Sequence, residues 1–372
     1  MLWIPGPTEV RPEVLAELAR PAIGHRSKAM IELLERIDPH LHHAFGLEEG
    51  SSTHVAVHSV SATAMMESSL LGAGKGKVLC LVNGAFSRRW SQIAASLGRE
   101  VVALEAEWGE VVDLARVEQA LEEQGPFDAV TVVSSETSTG TATPLGPLGE
   151  LVSRYPGTWL CADLVSWIAG APVDFDANHL DFAFAGVQKA FALPPGISVL
   201  AASDRYLERA RDVEHRGFAL DPVRVIEGHE ARKTPATPAI PHHYALARQL
   251  EDISAGRTLP TTEQGVCGPD AWAARFALHR RMQDTTIRWA EGHGLSLLPG
   301  REYASPTVSC IRSGELDVAA LVAGLKEKDF EISNGYGPLK GQTFRIGHMG
   351  DHDEEGLARL LSAADEVLGV LA

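Results

Sequence analysis

The strictest constraint on this 372-residue chain is an alternation that fills its first two hundred residues. Short apolar runs recur at Thr53–Ser59, Gly76–Val82, Glu100–Leu104, Phe127–Val133, Thr158–Ala162, Leu180–Phe184 and Ile197–Ala202. Stretches at helical spacing separate most of them, at 61–71, 87–97, 114–123 and 145–154. Runs this short and this apolar read as strands buried on both faces. Strand and helix in alternation give an α/β fold, a mostly parallel sheet sandwiched by helices. Ligands of such folds bind beyond the C-terminal ends of the strands.

Two of those strand ends carry chemistry. Leu180–Phe184 runs through Gly186 into Gln188 and Lys189, and Pro194-Pro195-Gly196 turns the chain into the next run. Taken alone, Lys189 reads as a surface-loop lysine. Held among apolar residues, it is an amine whose pKa burial lowers, and a neutral amine is what a Schiff base with an aldehyde requires. Asp163 lies 26 residues earlier, at the end of Trp159-Leu160-Cys161-Ala162. A strand-end aspartate and a strand-end lysine in adjacent βα units are the two groups a pyridoxal cofactor needs. The first holds the pyridinium nitrogen protonated and the second carries the imine.

Other positions offer weaker signals. Ser61-Ala62-Thr63 occupies a strand-to-helix turn whose free N–H groups suit a phosphate, although such hydroxyls are also ordinary helix caps. His25 and Arg26 stand just before a helix that Ser27 would cap, either as an anion site or as solvated loop residues. A polar cluster, Ser134–Gly140, follows the fully apolar strand Phe127–Val133. Arg345 is a lone cation in Thr343–Ile346, able to fork onto a carboxylate or to join an internal salt bridge.

ADLVSW at 162–167, GVQKAFALPPG at 186–196, PGPTEV from Pro5 and FRIGHMG from Phe344 fall in one order along the chain. In that order they resemble the class V aminotransferases of fold-type I, enzymes of pyridoxal 5'-phosphate. The branch resembled holds the phosphoserine, alanine–glyoxylate and serine–pyruvate aminotransferases. The resemblance implies that Phe86 stacks on the pyridine ring and that Val165 packs on its other face. It places Ser138, in the E-T-S-T-G motif, near the ring oxygen or imine. Ser61, Ala62, Thr63 and Gln188 would meet the cofactor phosphate, and Thr234 would cross a dimer to the neighbour's. Arg345 would hold the substrate carboxylate. The N-terminal arm would line the site and swap across the dimer.

Two departures stand out. Ala62 replaces a family glycine, and Ala231, Arg232 and Lys233 stand where relatives carry tyrosine or asparagine. His25-Arg26 tilts the expected donor to phosphoserine, paired with 3-phosphohydroxypyruvate or 2-oxoglutarate, which implies serine biosynthesis. Alanine or serine with glyoxylate or pyruvate is the alternative. A cysteine desulfurase shares the fold but needs a nucleophilic cysteine in a mobile loop, whereas Cys310 lies in a strand pattern. A cofactor-binding protein without turnover is the non-enzyme reading, against which Asp163, Lys189 and Arg345 weigh.

Bulk properties narrow the partners. A formal charge of −16 argues against nucleic acid and anionic membranes, and obliges an anionic substrate to find local arginines. Cys80, Cys161, Cys267 and Cys310 are widely spaced and read as reduced and structural, and no metal site is expected. MLWIPGPTEV has neither a basic leader nor an apolar core, so a cytoplasmic location is expected. Gly256–Gly268 is rich in Gly, Thr and Pro. It is taken as the boundary between an N-terminal arm with a large domain, 1–264, and a small C-terminal domain, 265–372. A homodimer acting on small amino and 2-oxo acids completes the expectation.

Overall fold

In the computed structural model, described over Met1–Leu371, the alternation becomes one seven-stranded sheet. Its strands are β1 (His54–His58), β2 (Val78–Val82), β3 (Val101–Glu105), β4 (Ala129–Val133), β7 (Trp159–Asp163), β8 (Phe182–Gly186) and β9 (Ser198–Ala202). A two-strand hairpin, β5 (Ser135–Glu136) and β6 (Thr141–Ala142), follows β4. The sheet order is β1-β9-β8-β7-β4-β2-β3. Only β9 runs against the rest, pairing antiparallel with β8 and β1.

Side-chain alternation along each strand divides the core. Ala183 and Ala185 of β8 join one apolar layer, with Leu79, Leu81 and Leu160. Phe182 and Phe184 join the other, with Val78, Cys80 and Trp90. Helices cover both layers. Lys28–Phe45 buries Leu34, Ile37 and Leu41 along one stripe. It stops at Gly46, whose left-handed φ of 64° lets the backbone pass within reach of Asp174.

A four-stranded antiparallel sheet follows, in the order β10 (Ser296–Leu297), β11 (Val308–Arg312), β13 (Thr343–Gly347) and β12 (Ser333–Asn334). Leu278, Leu321, Phe344 and Leu360 fill its core with the helices Pro269–Gly292, Val318–Glu327 and Glu354–Leu371. Trp3 joins that core from the other end of the chain, stacked 4.0 Å from His352.

Glu227–Pro238, whose prolines read in the sequence as an irregular segment, begins inside a helix, Pro222–Glu230. Asp221 accepts the Val223 N–H, and Pro222 occupies the first turn, where its missing donor costs nothing. The arm is tied down at both ends by residues of its own chain. Trp3 N–H donates to Glu331 O at 2.8 Å and Gly347 N–H to Trp3 O at 2.7 Å. Arg11 then anchors its far end on Asp351 at 2.7 Å and Asp252 at 2.8 Å. Among the described residues no helix is long and apolar enough to cross a membrane.

Candidate active site

β1, β2, β4, β7 and β8 all end at the same sheet edge, and there a cavity of about 330 Å³ opens. Its walls include Ser61, Ala62, Thr63, Phe86, Asp163, Val165, Gln188 and Lys189. Wider clefts of about 550 and 640 Å³ lie elsewhere, and neither has a lysine in its wall.

Lys189 is 9 % exposed, and its ammonium donates to the Pro5 carbonyl. Burial and then the Arg345 charge lower its pKa to about 8, against the pull of Asp163 and Glu136. The arm brings more than Pro5. Thr8 donates from its N–H to Gln188 O at 3.1 Å and from its hydroxyl to Lys189 O at 2.9 Å. Gly6 lies against the lysine stem at φ 107°, where an added Cβ would sit 2.5 Å from Lys189 Cδ. Only glycine fits that backbone and that approach.

Asp163, the last residue of β7, is 4 % exposed. Burial pushes its carboxyl up to about 7, with Glu136 adding to the rise while the Val165 N–H, Lys189 and Arg89 oppose it. Its Oδ1 accepts that N–H at 2.8 Å. Among the described residues no protein donor reaches Oδ2. Ser61 precedes the helix Ala62–Ala73 without bonding its first turn, so its hydroxyl and the leading N–H groups remain uncommitted. An uncommitted carboxylate oxygen, an uncommitted helix N-terminus and a buried amine between them are the donor set that pyridoxal 5'-phosphate requires.

Arg345 is 8 % exposed in β13. Its Nη1 donates to Thr137 O at 3.1 Å, and Nε and Nη2 donate to Asn334 O at 3.2 and 3.1 Å. Burial lowers its pKa. No carboxylate lies within ion-pair distance of it among the described residues, so the internal salt bridge that the sequence left open is absent.

Ser138 stands apart from the cavity wall. Its hydroxyl donates to Glu136 Oε1 at 2.6 Å and accepts the Ala85 N–H at 3.0 Å. Ser135 and Thr137 line the cavity instead. Glu136, which sequence reasoning passed over inside the E-T-S-T-G motif, is fully buried and accepts from Phe86, Ser87 and Ser138. It thereby fastens the helix that carries Phe86 to the hairpin that carries Thr137. Gly6 and Pro7, from the arm expected to line the site, stand in the cavity wall, as does Arg89.

Five expected residues are not in this cavity's wall: Ser138, Arg345, His25, Arg26 and Thr234. His25 and Arg26 make no hydrogen bond or ion pair among the described residues, and Ser27 makes no side-chain cap. Thr234 sits after the helix Pro222–Glu230 with its hydroxyl buried and unpartnered. Cys310, the sulfur of the desulfurase alternative, is buried in β11, and burial raises its thiol to about 11. That leaves almost no thiolate at neutral pH.

The profile of the family described as aminotransferase class-V matches residues 49–260. An uncharacterized aminotransferase of Methanocaldococcus jannaschii is 32% identical over 99% of this chain and 92% of its own. The serine–glyoxylate aminotransferase of Methylorubrum extorquens is 28% identical over 98% of this chain and 90% of its own. Among solved structures, an aspartate aminotransferase of Thermus thermophilus superposes with a TM-score of 0.87 at 28% identity, covering 100% of this chain and 99% of that one. With Asp163, Lys189 and the uncommitted helix terminus already disposed for the cofactor, these similarities establish that the chain belongs to the class V aminotransferases, transaminases dependent on pyridoxal 5'-phosphate.

Proposed function

We propose that the enzyme moves the amino group of a small, uncharged amino acid, alanine or serine, to glyoxylate or a comparably small 2-oxo acid. The observation that carries this is the buried guanidinium of Arg345 without a carboxylate partner. An unneutralised buried cation is costly, and a substrate carboxylate relieves it with two parallel hydrogen bonds. The cavity, about 330 Å³, lies near the lower end of ligand pockets, about 300–1,000 Å³, and must hold cofactor and substrate together. The similarity to a serine–glyoxylate aminotransferase points the same way.

Bound pyridoxal phosphate supplies the electron sink that lets an amino acid lose its Cα proton. The chain's residues do the rest. Lys189 is the amine placed to hold the cofactor's aldehyde and, once released, to take the proton from Cα and return it. With its pKa near 8, a useful share is neutral at physiological pH. Asp163 is placed to hold the pyridine nitrogen protonated through Oδ2. Ser61, Ala62, Thr63 and Gln188 would take the phosphate, and Phe86 and Val165 would flank the ring. Ser138 supports this site through Glu136. In the homodimer of this reading, the unpartnered Thr234 hydroxyl serves the neighbouring site.

Phosphoserine remains a second reading because His25 and Arg26 are uncommitted cations. It requires them to be delivered to a neighbouring protomer's site, since they stand outside their own. The test is a half-reaction on the holoenzyme with L-alanine, L-serine and L-phosphoserine in turn, following conversion of the cofactor to its pyridoxamine form. Rapid conversion by alanine or serine, with phosphoserine far weaker, is expected. Preferential conversion by phosphoserine, lost in Arg26→Gln, overturns the small-donor reading. Lys189→Ala must abolish turnover with every donor.

A further inference from the structure

The loop between β12 and β13 carries an aromatic residue for which neither the mechanism nor the motifs account. Gly335 N–H donates to Thr343 O at 2.7 Å, Leu339 N–H returns to Tyr336 O at 3.0 Å, and Asn334 Oδ1 accepts from Gly341 N–H at 2.8 Å. A Cβ on Gly335 would lie 2.0 Å from Leu339 O, and Gly337 takes a left-handed φ of 54°. The loop therefore fixes the Tyr336 backbone from both sides, although the residue is 36 % exposed.

The ring is fixed as well. Its centroid lies 5.7 Å from that of Phe86, inclined at 42°, and 5.5 Å from the Arg345 guanidinium carbon. Phe86 is in the cavity wall at the end of the large sheet, and Arg345 belongs to the small one. Tyr336 spans the space between them. Its hydroxyl has no hydrogen-bond partner among the described residues, so contact by its ring is what the loop secures.

We propose that Tyr336 determines specificity by limiting the side chain of the donor. This rests on the reading that Arg345 holds the substrate carboxylate. A donor fixed at its carboxylate by Arg345 and at its nitrogen beside Lys189 has one substituent free to vary. The Tyr336 ring occupies the room between the carboxylate clamp and Phe86, so a longer side chain must displace it from both neighbours. Apolar walls discriminate by about 10–200-fold per methylene.

The experiment compares kcat/KM of the holoenzyme for L-alanine, L-2-aminobutyrate and L-norvaline in wild type, Tyr336→Phe and Tyr336→Ala. The expected wild-type preference is steep, Tyr336→Phe keeps it, and Tyr336→Ala lowers the alanine-to-norvaline ratio by at least about tenfold. A ratio unchanged in Tyr336→Ala overturns the proposal. So does an equal loss on all three donors, which would make Tyr336 only a support for Arg345. A wild type inactive on all three overturns the proposal before any variant is compared, and inactivity on L-serine as well refutes the small-donor reading.

Discussion

The buried carboxyl of Asp163 should make the cofactor-free protein less stable than one of its own inactive variants. Raising that carboxyl from 3.8 to about 7 corresponds to about 4 kcal/mol of instability at pH 8. The sign follows from proton binding. Between pH 3.8 and about 7 the native state holds the proton more tightly than the unfolded chain, so stability falls as pH rises through that window. Above pH 7 the whole cost is present. Asp163→Asn removes the charge and keeps an acceptor for the Val165 N–H. It also removes an anion that raises Lys189, so the ammonium there becomes harder to keep and part of the gain is lost. The net expectation is a variant about 1–3 kcal/mol more stable than wild type at pH 8, with less than half that advantage at pH 5. Urea unfolding of the cofactor-free proteins by far-UV circular dichroism, at matched protein concentration, measures it. A variant destabilised equally at both pH values would refute the reasoning, because the carboxylate would then be contributing a hydrogen bond and carrying no strain. The same variant should have lost transamination.

Other substitutions probe the supports. Gly6→Ala places a methyl 2.5 Å from Lys189 Cδ at a left-handed φ. Half-reaction kinetics should slow by about 100-fold and stability should fall by about 1–3 kcal/mol. Glu136→Ala strands the N–H groups of Phe86 and Ser87 and the Ser138 hydroxyl, and thermal unfolding should report a loss of about 3 kcal/mol, with Glu136→Gln milder. Arg345→Lys keeps the charge but loses the fork, so KM for the donor should rise by about 10–100-fold in steady-state assays, with a smaller change in kcat.

Asp163 and Lys189 were legible because the first ends a strand and the second lies three residues past one, each after an unambiguous apolar run, and parallel strand ends must share an edge. The order of side chains past a strand end was not legible. A hairpin beginning at Ser135 reverses which residues face the cavity, so Ser138 turned toward Glu136 while Ser135 and Thr137 faced in. The helix Pro222–Glu230 hid because its cap, Asp221, lies before the segment that drew attention. His25 and Arg26 stand outside their own chain's cavity, so their place at a site depends on a neighbouring protomer. Charge before a helix identifies an anion site only if the tertiary fold brings an anion there. Tyr336 lay between two glycines, a turn signal without apolar periodicity, and nothing local told of the Phe86 and Arg345 it meets.

The arm that crosses Lys189 also bears on the order in which the site is made. Pro5, Gly6 and Thr8 meet a lysine more than 180 residues later, and Leu2 accepts from His352, 350 residues away. During synthesis the arm emerges long before β12 and β13 exist to receive it. Its full set of partners is complete only after both sheets have been made. Refolding should therefore recover the sheet before the lysine's surroundings, and cofactor capture should be the last event to appear.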